Sequence, residues 1–327
     1  MSYIFKCYTD GIREYFEWES DTRNATTKRA VKKDFEFAGS LLDFLDLDME
    51  DYYDIFDSMG KEVKGLYERT DGDTLALRKS LDSLAEKHIY FQFLRLHWYE
   101  KLDKYITGDY EGKIYDFMPY KSLTHIPMNF ITWKNQIKTL IDKGLDSTVN
   151  RTATIQNNIA ELYENQHRGN LSLFDFKPMT IGFERVNSVT MAEVYYPQNI
   201  GDILEFTLRE IVKREISFKV CKSCGKYFPA IAHGNTEFCN RLFQNTGKTC
   251  RDIGSLTKWK EKVSSTPAML LYNKYYKTRF SRIRAGKITR EVFQEWAAKA
   301  REYRDKVTSG KMPLEEFEDW LKSGRWV

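Results

Sequence analysis

The sequence has few cysteines, few histidines and no long apolar segment. Its 327 residues include five cysteines and five histidines. No apolar run approaches the ~20 residues of a membrane-spanning helix, and the first residues lack the apolar core of a signal peptide. These absences argue against a membrane protein and against a disulfide-stabilised secreted domain. We therefore expect a soluble, cytoplasmic protein whose thiols stay reduced.

Two kinds of enzyme are disfavoured by residues that are missing. Gly247-Lys248-Thr249 resembles the end of a phosphate-binding loop, but that motif needs glycine where Leu242 stands. Nucleases built on a zinc knuckle need a histidine base, and no histidine follows residue 240. No other catalytic motif is present, so we predict that the protein is not an enzyme.

Length and charge predict two domains. A chain of this length exceeds a single hydrophobic core. Residues 1–200 carry 25 Lys and Arg against 32 Asp and Glu, whereas residues 201–327 carry 26 against 15. Within 219–290 the counts are 16 and 3, which is typical of a surface that binds a polyanion; a solvated basic face is the alternative. We predict an acidic domain over 1–198 and a basic domain over 199–327.

The predicted fold class is mainly α, of the α+β type, with a small antiparallel sheet in the N-terminal domain. Residues 3–18 predict two strands around the turn Thr9-Asp10-Gly11, and residues 180–196 predict a second hairpin that can join the same sheet. Apolar periodicity predicts the helices. They are expected over 29–47, 49–68, 74–106, 127–143 and 147–165.

Four of the five cysteines fall within residues 221–250, at the spacing C-x2-C-x14-C-x10-C. C-x2-C lets one tight turn direct two sulfurs at the same ion, and two further cysteines complete a tetrahedral site. We predict one structural Zn²⁺ per chain in a zinc ribbon or knuckle, held by Cys221, Cys224, Cys239 and Cys250. His233 is an alternative ligand, in place of Cys250.

The cysteine segment lies between helical segments. A helix over 200–214 leads into it, and a helical tail over 255–323 follows, with a basic helix at about 266–284 whose apolar stripe is Leu270, Leu271, Tyr275 and Phe280. A short repeat, Gly286–Trp296 and Gly310–Trp320, predicts two helices that place Phe and Trp in one core. The residues expected to contact phosphates are Lys222, Lys226, Arg241, Lys248, Arg251, Lys258, Lys260, Arg279, Arg282 and Arg284.

The pattern Cys221-x2-Cys224-Gly…Phe228…Phe238-Cys239…Cys250-Arg251 resembles bacterial proteins with a CGNR-type zinc finger. It is similar also to an uncharacterised bacterial family with the same Cys-x-x-Cys-Gly segment and a helical tail. Cys250 is followed by Arg-Asp-Ile, so the Cys-Gly-Asn-Arg string itself is absent. The resemblance covers residues 200–327 and implies a transcription-regulator-like DNA binder.

Two functional hypotheses follow. The first is a non-enzymatic, zinc-stabilised protein that binds nucleic acid, with DNA favoured. The second is an interaction or scaffold protein in which zinc is purely structural and the N-terminal domain binds a protein or small ligand. The charge around the cysteines favours the first.

Overall fold

The computed structural model describes residues 4–20, 29–68, 72–146, 154–169, 171–230, 236–244 and 246–323. Its chain divides into two compact units. The first contains residues 1–219 and 227–235, and the second contains residues 220–226 and 236–327. No helix in the described ranges is long and apolar enough to cross a membrane.

The first unit contains a five-stranded antiparallel sheet, ordered β3-β2-β1-β5-β4. The strands are β1 Phe5–Thr9, β2 Arg13–Ser20, β3 Arg29–Glu36, β4 Thr180–Arg185 and β5 Met191–Tyr196. Asp10 accepts hydrogen bonds from the N–H groups of Ile12 and Arg13 and so closes the turn between β1 and β2. Cys7 of β1 pairs with Tyr195 of β5. The two predicted hairpins therefore share one sheet, as the sequence indicated.

The predicted helix over 29–47 is wrong in its first half. Residues 29–36 form the edge strand β3, which pairs with β2 along eight residues, from Arg13 opposite Glu36 to Ser20 opposite Arg29. The helical spacing of apolar residues is confined to 37–45, and only this part forms a helix. The strand exists because β2 supplies a hydrogen-bonding partner, which periodicity in 29–36 does not reveal.

Nine helices accompany the sheet in the described part of the first unit. They are α1 Gly39–Asp46, α2 Tyr53–Glu68, α3 Thr74–Ala85, α4 Ile89–Thr107, α5 Ile114–Phe117, α6 Lys121–Thr124, α7 Ile126–Leu140, α8 Ile155–Glu164 and α9 Ile200–Lys213. Helix α4 is buried around most of its circumference, from Ile89 to Leu102, so it is the central helix of this core.

The predicted helix over 74–106 is two helices, α3 and α4, with a break at residues 86–88. His88 has an extended backbone, and its Nδ1 accepts a hydrogen bond from the N–H of Tyr90, which caps α4. The other ring nitrogen lies 3.2 Å from the carbonyl oxygen of Ser40. The ion pairs Arg78–Asp103 and Arg95–Asp82 show that α3 and α4 run antiparallel.

Helix α9 belongs to the first unit. It buries Ile203, Leu204, Leu208 and Ile211, and its Phe206 ring contacts Tyr195 of the sheet at 4.9 Å. The predicted boundary at 198/199 therefore differs from the observed division, because the apolar face of this helix packs in the N-terminal core. Two short strands follow in a separate sheet, β6 Phe218–Val220 and β7 Tyr227–Pro229.

The second unit contains the four clustered cysteines and the helical tail that follows them. Its helices are α10 Cys250–Ser265, α11 Pro267–Arg284, α12 Arg290–Thr308 and α13 Leu314–Ser323. Phe293 and Trp296 of α12 share one apolar core with Phe317 of α13, with Trp320 at its edge. The repeat therefore forms two successive helices that bury aromatic residues together, as the sequence predicted.

The predicted apolar stripe of α11 is confirmed at Leu271 and Tyr275, which are half-buried against this core, and is wrong at Leu270 and Phe280. The buried residues of α11 are Ala268, Tyr272 and Arg279, whereas Leu270 and Phe280 are exposed. Helix α11 packs against both α12 and α13, so the positions of these partners determine which residues are inside.

Candidate metal centre

The four predicted cysteine ligands lie together in the second unit. Their sulfur atoms are all within 4.8 Å of one another, and Cys221, Cys239 and Cys250 are buried while Cys224 is half-buried. All five cysteines of the chain lie in the described ranges and are free thiols. The fifth, Cys7, is buried in the sheet of the first unit and takes no part.

The first two cysteines lie on a tight turn. The N–H of Cys221 donates to the carbonyl oxygen of Lys226 at 2.9 Å, and the N–H of Gly225 donates to the carbonyl oxygen of Cys221 at 2.8 Å. Gly225 has φ of 71°, a left-handed conformation that glycine adopts without steric cost. This turn places the sulfurs of Cys221 and Cys224 on the same side.

The third and fourth cysteines are joined by a closed loop. The N–H of Cys250 donates to the carbonyl oxygen of Arg241 at 2.9 Å, and the N–H of Arg251 donates to that of Cys239 at 3.0 Å. The N–H of Cys239 also donates to the sulfur of Cys221 at 3.4 Å, which connects the loop to the first turn.

Cys250 is the first residue of α10. The side chain of Thr249 accepts from the N–H of Asp252, whose carboxylate accepts in turn from the N–H of Thr249. This capping box fixes where the helix begins. The fourth sulfur is therefore held by a stable helix terminus.

Burial affects the thiols of the cluster in different ways. Burial acts to raise the pKa of Cys221, but the N–H groups of Cys239, Cys224 and Ser223 outweigh it and bring the pKa to about 7. Burial raises the pKa of Cys239 and Cys250. A buried group of thiolates therefore needs a cation, which stabilises the deprotonated sulfurs.

The sulfur positions fit such an ion. Four sulfurs at ~2.3 Å from a tetrahedral ion are separated by about 3.8 Å, and the sulfurs of Cys224 and Cys239 lie 3.7 Å apart. A disulfide requires about 2.05 Å. The predicted alternative ligand, His233, lies outside the described residues.

Most of the predicted phosphate-binding residues are at the surface of the second unit. Arg241 is half-buried, and the side chains of Lys258 and Lys260 lie outside the described part of the structure. The exposed residues are Lys222, Lys226, Lys248, Arg251, Arg282 and Arg284.

Arg279 is the exception, and its predicted role at the surface is wrong. Its side chain is 5% exposed. Its guanidinium lies 4.9 Å from the centre of the Trp296 ring and donates to the carbonyl oxygen of Leu321. Burial lowers the pKa of this arginine to about 10. Arg279 therefore belongs to the core of the tail and cannot contact a phosphate.

Sequence reasoning also missed a group of arginines on α12. Arg290, Arg301 and Arg304 line one groove beside α11. Their spacings of 11 and 14 residues correspond to about three and four helical turns, so they share one face. The recurrence of arginine at whole numbers of helical turns is the sequence signal that would have identified this group.

The comparisons with known proteins concern the same part of the chain. Residues 176–323 match the model of DUF6076, a family of unknown function. The matched segment begins just before β4, contains all four clustered cysteines and ends with α13. No curated protein matches the chain, and no solved structure matches it.

Proposed function

We propose that the cysteine cluster binds one zinc ion with a structural role. Closed sets of four thiolates are a usual coordination for structural zinc, and four sulfurs leave no ligand position open for a substrate. Binding of such an ion contributes directly to the folding free energy of the segment that holds it, because the site does not exist in the unfolded chain.

Metal analysis of the purified full-length chain tests this proposal. We expect about one equivalent of zinc per chain, because the four sulfurs converge on one point. Cys224→Ser should lose the metal and unfold the segment around it, whereas Cys7→Ser removes a buried thiol elsewhere and should retain it. Freshly purified wild-type protein without metal, or Cys224→Ser with a full equivalent, would contradict the proposal.

We propose further that the second unit binds nucleic acid, with DNA favoured by the resemblance to CGNR-type proteins, and that the protein is a non-enzymatic, transcription-regulator-like binder. The observation that supports this is charge. Residues 220–226 and 236–327 carry 22 Lys and Arg against 11 Asp and Glu. Four of these basic residues are exposed within or next to the cysteine turns: Lys222, Lys226, Lys248 and Arg251.

Salt-dependent binding is the test, measured by fluorescence anisotropy with duplex DNA, single-stranded DNA and RNA. Each phosphate contact contributes ~0.9 to the slope of log K against log salt on a duplex. Lys248→Gln and Arg251→Gln should each lower the slope by about one unit. Lys61→Gln, on an exposed face of α2 in the acidic first unit, is the matched control and should not change it. If the protein binds none of the three nucleic acids at low salt, this function is refuted.

A second candidate is an interaction protein, favoured by an exposed apolar surface on the β4–β5 hairpin. Phe183 is 69% exposed and Val189 is 90% exposed, and Ile181 and Met191 are also exposed. Exposed apolar groups of this size are typical of protein-binding surfaces. A protein partner that binds stoichiometrically in the absence of nucleic acid would favour this candidate. Phe183→Ser should abolish that binding, whereas Ile12→Ser, which removes an exposed apolar side chain elsewhere, should retain it.

A further inference from the structure

Between α11 and α12 the second unit has a groove of about 420 Å³. The rings of Tyr276 and Phe280 from α11 and of Phe293 from α12 line it, with the small side chain of Ala297 between the helices. Tyr276 and Phe280 are within 6° of parallel, with ring centres 6.3 Å apart. Phe280 is 44% exposed, so a flat ligand can reach its ring.

Positive charge lies at both ends of this groove. Arg290 is at one end, and Arg301 and Arg304 are 11 and 14 residues further along α12, which is ~16 to 21 Å along the helix axis. None of the described lining residues is acidic. Arg304 bonds to the carboxylate of Asp305 at 2.6 Å. Arg301 donates its Nε–H to the carbonyl oxygen of Ala297, which leaves its terminal N–H groups for an anion.

A polar group also lines the groove between the charged ends. The side-chain nitrogen of Asn273 is buried and has no hydrogen-bond partner among the described residues. Buried donors are nearly always bonded in proteins. An acceptor from outside the chain would satisfy this one.

We propose that this groove binds a short stretch of single-stranded nucleic acid. Bases stack on the Phe280 and Tyr276 rings, which tolerate any base. Phosphates contact Arg290 at one end and Arg301 at the other, and a base or sugar oxygen accepts from Asn273. A free nucleotide has its phosphate at one end and can fill only one of the two arginine sites, so the ligand is a strand. The proposal rests on the nucleic-acid function above and specifies the kind of strand and the residues that hold it.

The test uses the metal-bound full-length chain and a labelled oligo-dT of about eight nucleotides, within the usual site size for such proteins. Phe280→Ala should weaken binding by about 5- to 150-fold, the effect of one stacked base, and leave the salt slope unchanged. Arg290→Gln and Arg301→Gln should each lower the slope by ~0.7, the value for one phosphate on a single strand. A folding defect alone would not weaken the affinity of Phe280→Ala at an unchanged salt slope while it lowers the slope in the two arginine variants.

Matched controls lie on the same helices. Lys299→Gln removes an exposed charge from α12, and Leu270→Ala removes an exposed apolar group from α11. Neither residue lines the groove. Both should bind as the wild type does. Because Phe280 is exposed, Phe280→Ala should keep the wild-type circular dichroism spectrum.

Three outcomes would overturn the proposal, and they are distinguishable. If the groove variants bind the oligonucleotide as the wild type does, the groove is not the binding site, while the nucleic-acid function stands. If the protein binds no nucleic acid at all, both fail. If dTMP binds and the groove variants lose it while the oligonucleotide does not bind, the groove takes a free nucleotide and not a strand.

Discussion

Glu14 provides the sharpest test of the structure of the first unit. This carboxyl group, on β2, is fully buried. It accepts a hydrogen bond from the N–H of Ser40 at 2.6 Å, next to the start of α1, and one from the hydroxyl of Thr207 on α9. Burial raises the pKa of Glu14, whereas these hydrogen bonds act to lower it. Burial is the larger effect, and the pKa is about 7. The group therefore takes up a proton more readily in the folded protein than in the unfolded chain.

The sign of the pH dependence follows from that difference. Below about pH 4.5 both states are protonated, and above about pH 7 both are ionised, so Glu14 gives no slope in either range. Between these values only the folded state binds the proton, and the free energy of unfolding falls as the pH rises. The shift spans about 2.5 pH units, which at 1.36 kcal/mol each corresponds to about 3 kcal/mol of stability lost.

Glu14→Gln removes the charge and keeps an oxygen that can accept from the N–H of Ser40. We expect the variant and the wild type to differ by about 1 kcal/mol or less at pH 5, the scale of a single hydrogen bond. At pH 8.5 the variant should be more stable than the wild type by about 2–3 kcal/mol. The measurement is urea unfolding followed by circular dichroism across this range.

Comparing the two proteins removes the contributions that they share, including those of the metal centre. Glu193→Gln is the control. The hydrogen bond from Lys213 lowers the pKa of Glu193. The stability that ionised Glu193 contributes is therefore lost only when the pH falls below the range measured. Parallel stability profiles for wild type and Glu14→Gln from pH 5 to 8.5 would refute the reasoning.

The remaining predictions concern the second unit. Thr249→Ala should lower the free energy of unfolding by about 1 kcal/mol through loss of the α10 cap, and Thr249→Ser should restore it, as measured by urea unfolding. Trp296→Ala should lower it by about 3–5 kcal/mol, since Trp296 is fully buried; a loss below 1 kcal/mol would contradict the core assignment. Arg279→Met should leave the salt slope of nucleic-acid binding unchanged, because the guanidinium is inside the tail; a slope lowered by one unit would place it at the surface.

The cysteine cluster was predictable because its determinants are local. A C-x2-C turn with Gly225 after it, and a helix that begins at Cys250, depend on residues a few positions apart. The same holds for the hairpin turn closed by Asp10. Steric preferences and side-chain caps act over such distances without help from the rest of the fold.

Errors arose where partners distant in sequence decide the conformation. Residues 29–36 form a strand because β2 supplies the opposite edge. The break between α3 and α4 depends on His88, whose ring contacts the backbone of Ser40, 48 residues earlier. Neither partner is visible in a window of helical length.

The sequence alone determined the four cysteines, the basic charge of the C-terminal part and the helical nature of its tail. Spacing, composition and periodicity carry this information directly. Only the tertiary structure decided which face of α11 is inside, and thereby that Arg279 stacks on Trp296 while Phe280 lines an arginine-bordered groove. The physical reason is that a helix with apolar and basic residues on several faces buries the face that its neighbours cover, and α12 and α13 make that choice through packing.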